Sequence, residues 1–176
     1  LAASGHRVTL LARPGVIADI RSHGLTLSDF GGLNERVTAG HIGLDDTSSC
    51  LAGADLVLVS VKTGATAEIA RQIAEFAPAD APVVSLQNGL AAIAALRENL
   101  PGCDVRAGVV AFNVVPRGEG RYHRSTSGDI LIGTGRSDLA AGLTGPNLTV
   151  TQTPDIVAVQ WGKLLINLNN ALNALS

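Results

Sequence analysis

Four consecutive segments between residues 55 and 100 decide the architecture. Asp55-Leu56-Val57-Leu58-Val59-Ser60-Val61 is a nearly continuous apolar run, too short for a stable helix and rich in β-branched side chains. Such a run forms a strand buried on both faces, as in a parallel sheet. A helical period follows over residues 66–76, then a second apolar run over 82–86, the turn signal Gln87-Asn88-Gly89, and another helical period over 90–100. Strands that alternate with helices are joined by crossovers, which places them parallel in a doubly wound sheet.

The flanking segments extend this pattern. Leu1-Ala2-Ala3-Ser4-Gly5 reads as a last helical turn closed by glycine. Residues 7–13 form a short buried strand. A helix then begins with Pro14 in its first turn, carries Val16, Ile17, Ile20 and His23 on one face, and stops at Gly24. Residues 24–30 and 35–43 alternate around Gly31-Gly32 as a hairpin or irregular excursion, and 45–52 reads as a short helix ending at Gly53. A strand is expected over 105–115. Beyond Gly118-Glu119-Gly120, residues 121–125 and 129–133 are expected to pair as an antiparallel addition that caps one sheet edge, and 148–151 make a last strand.

At Pro154 the character changes, and residues 155–176 form one long helix with Ile156, Val159 and Leu164 as apolar contacts. The expected fold is therefore α/β. Residues 1–153 form a Rossmann-like, doubly wound, mostly parallel sheet, and residues 154–176 the first helix of an all-α C-terminal domain. The chain starts without Met and stops within a helical pattern, as expected of an internal fragment.

Composition narrows the function classes. With 46% hydrophobic and 16% charged residues the chain is a packed globular protein. A net charge of −2 without a basic stripe leaves no electrostatic footprint for nucleic acid. No apolar run reaches the length of a membrane span and no signal-peptide pattern is visible, so a cytoplasmic location is expected. Cys50 and Cys103 lack metal-ligand spacing and are expected as buried thiols, with no metal and no disulfide.

In doubly wound sheets, ligands bind outside the carboxyl ends of the strands. Arg13, Lys62 and Asn88 stand at such ends. Arg13 takes the place of the acidic residue that grips the ribose hydroxyls of NAD, so a guanidinium there favours the additional phosphate of NADP; an ordinary solvated arginine fits the position equally. Lys62 adds a second positive charge near the cofactor or is simply exposed. Asn88 is a ligand-facing amide or, before Gly89, a turn residue.

The last helix holds the sharpest constellation. Lys163, Asn167 and Asn170 are spaced by four and three residues, which at about 100° per residue places them within roughly 60° on one face. Two asparagines in a helix cost on the order of 1 kcal/mol relative to alanine, so polar partners are expected. The chemistry that fits is carbonyl reduction, with the Lys163 ammonium protonating the developing alkoxide and the amides holding substrate oxygens. A solvated lysine, with asparagines tying one helix to another, is the plainer alternative.

Taken together, Gly5-His6-Arg7-Val8 leading to Arg13, Ser60-Val61-Lys62-Thr63, Ser85-Leu86-Gln87-Asn88-Gly89-Leu90, the segment 121–133, and Trp161-Gly162-Lys163-Leu164-Leu165-Ile166-Asn167 resemble the ketopantoate reductases (2-dehydropantoate 2-reductases). The motifs run in the family's order through nearly the whole chain. The resemblance implies NADPH-dependent reduction of 2-dehydropantoate to D-pantoate, a step towards pantothenate and coenzyme A. It implies that Arg13 and Lys62 engage the adenosine phosphate end of NADP and that Asn88 lies near nicotinamide and substrate. It further makes Lys163 the general acid and Asn167 a substrate ligand.

The family's second helical asparagine falls on Ala171, and Asn170 one position earlier is its candidate substitute for substrate binding. A Gly-rich phosphate loop, expected ahead of Leu1, and a serine and a glutamate from the remaining helical domain lie outside these 176 residues. The isolated chain is therefore expected neither to bind NADPH tightly nor to turn over. The expected partner is a small 2-keto acid, with a homodimer carried as the assembly of the full-length protein. Two alternatives stand beside this reading: a related NADP-dependent 2-oxoacid or 3-hydroxyacid dehydrogenase, and a non-catalytic NADP-binding sensor.

Overall fold

The computed structural model describes the backbone of residues 1–175 and the side chains of residues 1–169. The chain opens on a 3-10 turn, Ala2–Ser4, closed by Gly5 at φ 88°. Strand β1 (Thr9–Leu11) leads into helix α1 (Pro14–His23), which buries Ile17 and Ile20 and ends at Gly24. Strands β2 (Leu25–Asp29) and β3 (Asn34–Val37) form the antiparallel hairpin around Gly31-Gly32. Strand β4 (Gly43–Asp45) pairs parallel with β1.

The helix expected over 45–52 is replaced by the end of β4 and a 3-10 segment, Ser48–Gly53. The cause is local. The Asp45 carboxylate accepts from the Thr47 backbone N–H at 2.8 Å and its hydroxyl at 2.7 Å, a turn that competes with helical hydrogen bonding.

The central segments fold as their periodicity requires. Strands β5 (Val57–Val59), β6 (Val83–Ser85) and β7 (Val105–Val110) pair parallel, with helix α2 (Thr66–Phe76) in the first crossover and α3 (Ala91–Asn99) in the second. Alternation along the strands divides the core. Val57, Val59, Val83, Val105, Ala107 and Val109 pack with Ala70, Ile73, Ile93 and Leu96 of the two helices. Leu58 and Val84 belong to a second cluster on the other face.

The expected single strand over 105–115 is broken at residues 111–113. Asn113 is held there by Thr126, whose hydroxyl accepts the Asn113 N–H at 2.8 Å, while the Ala111 N–H bonds the Asp129 carbonyl at 2.9 Å. Beyond the break the chain enters a different sheet as β8 (Val114–Gly118). Strand β9 (Arg121–Arg124) pairs antiparallel with β8 and parallel with β2.

Residues 121–125 and 129–133 thus do not pair with each other, contrary to expectation. Gly118, Glu119 and Gly120 all have positive φ and turn β9 tightly back onto β8, so both edges of β9 are taken. Strand β10 (Ile130–Gly133) returns to the central sheet, antiparallel to β7. After the short helix α4 (Ala140–Leu143), strand β11 (Val150–Thr153) pairs parallel with β10 and forms the sheet edge, two residues later than expected. The central order is β11-β10-β7-β6-β5.

Arg106 sits within β7 at 1% exposure, bonded to the Asp104 carboxylate, to the Ser137 carbonyl at 2.8 Å and to the Gln152 side-chain oxygen at 2.8 Å. This buried cluster ties the start of β7 to β11. The last element, α5 (Ile156–Leu175), buries Ile156 and Gln160 against the sheet and exposes Trp161, Leu165 and Ile166. Among the described residues no helix is long and apolar enough to cross a membrane. Cys50 and Cys103 are free, half-buried thiols.

Candidate active site

Because β5, β6 and β7 run parallel, their carboxyl ends open on one side, and ligands of doubly wound folds bind there. At that side the structure forms a shallow cleft lined by Gln87, Asn88, Gly89, Gly108, Val109, Val110, Gln160 and Lys163. A second depression lies on the sheet face of Leu58, Val84 and Ile132; its lining is wholly aliphatic and offers no group for acid, base or ion chemistry.

Asn88 is exposed at the mouth of the cleft, and Gly89 turns behind it at φ 84°. The turn role and the cleft-facing role of Asn88 are therefore compatible. Its amide has no hydrogen-bond partner among the described residues, which leaves both ends available to a ligand. Lys163 is half-buried, and its ammonium donates to the Val110 carbonyl at 2.5 Å, at the last residue of β7. The helix register explains this contact. Ile156, Gln160 and Lys163 recur at four and three residues on one stripe, so the residue after two buried positions faces the strand end.

Asn167 continues that stripe but is exposed and does not line the cleft. It lies one turn, about 6 Å, further along the helix, past the last sheet residue that Lys163 touches. The side chain of Asn170 lies outside the described residues. Arg13 caps the start of α1 in extended conformation (φ −64°, ψ 147°) and is exposed; Lys62 does the same before the 3-10 turn Thr63–Ala65 (φ −63°, ψ 146°). Neither forms an ion pair among the described residues, and neither lines the cleft.

Two cleft residues with polar side chains were not singled out by sequence reasoning. Gln87 is 7% exposed and hydrogen-bonded on every side; Gln160, also 7% exposed, donates to the Gly89 carbonyl at 3.4 Å and joins α5 to the Asn88–Gly89 turn. The signal for Gln160 was its place three residues before Lys163, on the same stripe. For Gln87 it was an amide interposed between a buried strand and the Asn-Gly turn.

A sheet whose three central strands run parallel, with both crossover helices packed on one face and polar groups gathered at the carboxyl ends of those strands, defines a Rossmann-like fold. The family model for ketopantoate reductase PanE/ApbA matches residues 1–137, and the chain belongs to this family. A 2-dehydropantoate 2-reductase of Halobacterium salinarum is 31% identical over 185 residues, covering 100% of this chain and 60% of that protein. Among solved structures, a PanE/ApbA family ketopantoate reductase from Ralstonia eutropha JMP134 superposes with a TM-score of 0.82 at 30% identity, over 94% of this chain and 55% of its own. A 2-dehydropantoate 2-reductase from Geobacter metallireducens GS-15 gives 0.80 at 26% identity, over 93% and 56%. The chain thus spans a little over half the length of the relatives it matches.

Proposed function

We propose that the chain carries the catalytic lysine and most of the cofactor domain of an NADPH-dependent reductase that converts 2-dehydropantoate to D-pantoate. Residues 1–153 would form the nucleotide domain and residues 154–176 the start of the helical substrate domain. The observation that carries the reading is the convergence of Asn88 and Lys163 on one cleft at the carboxyl ends of the parallel strands.

The residues suit a nicotinamide dinucleotide. Arg13 and Lys62 are exposed cations at strand ends, fit to hold its phosphates, and Asn88 offers an unspent amide beside the cleft. NADPH, when bound, supplies the hydride. Lys163 supplies the proton: an ammonium has three N–H donors, one is engaged by Val110, and the others can reach a substrate oxygen in the cleft. As the carbonyl oxygen gains charge, Nζ passes it a proton while the Val110 carbonyl keeps the amine oriented. Asn88 orients the reacting groups, and Asn167, with Asn170 as the second amide, would meet substrate from the outer turns of α5.

The test is NADPH oxidation by the whole protein that carries this sequence, against a panel of 2-keto acids. Turnover highest with 2-dehydropantoate is expected. Preference for another keto acid would point to a related 2-oxoacid or 3-hydroxyacid dehydrogenase, and NADPH binding without any oxidation to a sensor.

A further inference from the structure

We infer that Gln87 is a positioning residue that sets the Lys62 turn for cofactor binding, an inference resting on the cofactor role proposed for Lys62. Gln87 lines the cleft, yet both of its N–H donors and its side-chain oxygen bond within the protein. The Ser85 hydroxyl donates to its side-chain oxygen at 3.1 Å. Its amide nitrogen donates to the Val61 carbonyl at 2.9 Å and to the Thr66 hydroxyl oxygen at 2.8 Å. Thr66, 2% exposed, gives its own proton to the Thr63 carbonyl at 2.8 Å and so can only accept from Gln87.

A primary amide has two N–H donors, and both are used. Gln87 therefore has no donor left for a ligand and acts through what it holds. What it holds is the chain on both sides of Lys62: Val61 immediately before it, and Thr66 at the start of α2, whose hydroxyl in turn grips Thr63 immediately after it. The ladder of β5 ends at Val59, and the last rung, from the Leu86 N–H to the Val59 carbonyl, stops short of this turn. Past that rung, the buried amide of Gln87 is the hydrogen-bonded link, among the described residues, between the Lys62 turn and the strand end that carries Asn88. In this low-dielectric setting each of its bonds is strong, and an unmatched partner left behind by its removal is costly.

The experiment is a double-mutant cycle on NADPH dissociation constants of the whole protein, with Gln87→Leu and Lys62→Ala. Gln87→Leu is expected to weaken NADPH about tenfold in the natural background and less than about twofold once Lys62 is alanine. Equal losses in both backgrounds would mean general loosening of the fold and would overturn the inference, as would unchanged affinity in the single variant. Should Gln87→Leu fail to fold, Thr66→Val removes the same link from the other side with little change of shape, and the same non-additivity with Lys62→Ala is required. Failure of the natural protein to bind NADPH, or of Lys62→Ala alone to weaken it, would instead overturn the cofactor reading and this inference with it.

Discussion

Lys163 and Val110 meet where helix α5 passes the end of β7, the ammonium donating to the strand's last carbonyl at 2.5 Å. A flexible side chain is thereby held at the cleft instead of sweeping through solvent. The partner is a backbone oxygen and not a carboxylate, so the positive charge is oriented without being neutralised, as the proposed role of proton donor to an alkoxide requires.

Replacing Lys163 with alanine removes the proposed proton donor and no hydrogen bond of the sheet ladder. In the whole protein, kcat is expected to fall about 10²- to 10⁴-fold, with the NADPH dissociation constant changed less than about twofold. Steady-state kinetics together with a cofactor titration checks both. A variant that turned over at the natural rate would remove Lys163 from the chemistry.

Arg13→Ala is expected to weaken NADPH about 10- to 100-fold, the worth of charge-assisted hydrogen bonds to a phosphate. NADH should be nearly unaffected, because it lacks that phosphate. Competing titrations with the two cofactors measure the ratio, and equal losses would show that Arg13 does not read the phosphate.

The Arg106 and Asp104 side chains, 1% and 10% exposed, form a buried pair. The hydrogen bond from Arg106 is the main influence holding the Asp104 carboxyl below the usual carboxylate range, against the opposing effect of burial. Since the folded-state value is lowered, the stabilisation is present above the unfolded value, about 3.9, and is lost as pH falls through the folded one. Asp104→Asn leaves the Arg106 charge buried and unpaired and should cost about 3–5 kcal/mol near neutral pH. Urea denaturation of both forms at about pH 7 and about pH 3 should show that gap narrowing at the acid end; a gap of constant size would place the stability elsewhere.

Gly108 lies on β7 in the lining of the cleft, where β6 leaves no room for a side chain. A Cβ there would lie 2.8 Å from the Leu86 side chain and 3.1 Å from the Ser85 carbonyl oxygen. Leu86 can turn aside, but the Ser85 backbone can yield only by parting the strands. Gly108→Ala should destabilise the protein by about 1–3 kcal/mol, read as a lowered thermal midpoint, and raise KM through movement of the adjoining Asn88 turn. An unchanged midpoint and KM would show that the strands have slack at this point.

The sequence alone determined the elements whose hydrophobic period is unbroken. Helix α2 was expected over 66–76 and is found at Thr66–Phe76, and β5, β6 and α3 follow the same logic, because short apolar runs and an amphipathic period are local properties of the chain. Strand-end position and helical spacing likewise mark Asn88 and Lys163 as site candidates, and the family resemblance adds their implied roles.

Only the tertiary structure decided which strands became partners. Residues 105–115 contain no glycine or proline between Gly108 and Val115 to mark the break, which arises from Thr126 and Asp129 bonding back to 113 and 111 from further along the chain. Strand β9 pairs parallel with β2, from which it is separated by 95 residues at Ser28 and His123, a choice no local pattern records. The same holds for the site. Lys163 reaches Val110 across 53 residues and Gln87 reaches Val61 across 26, so the candidate cleft is made by long-range contacts, whereas composition and period act over one or two turns.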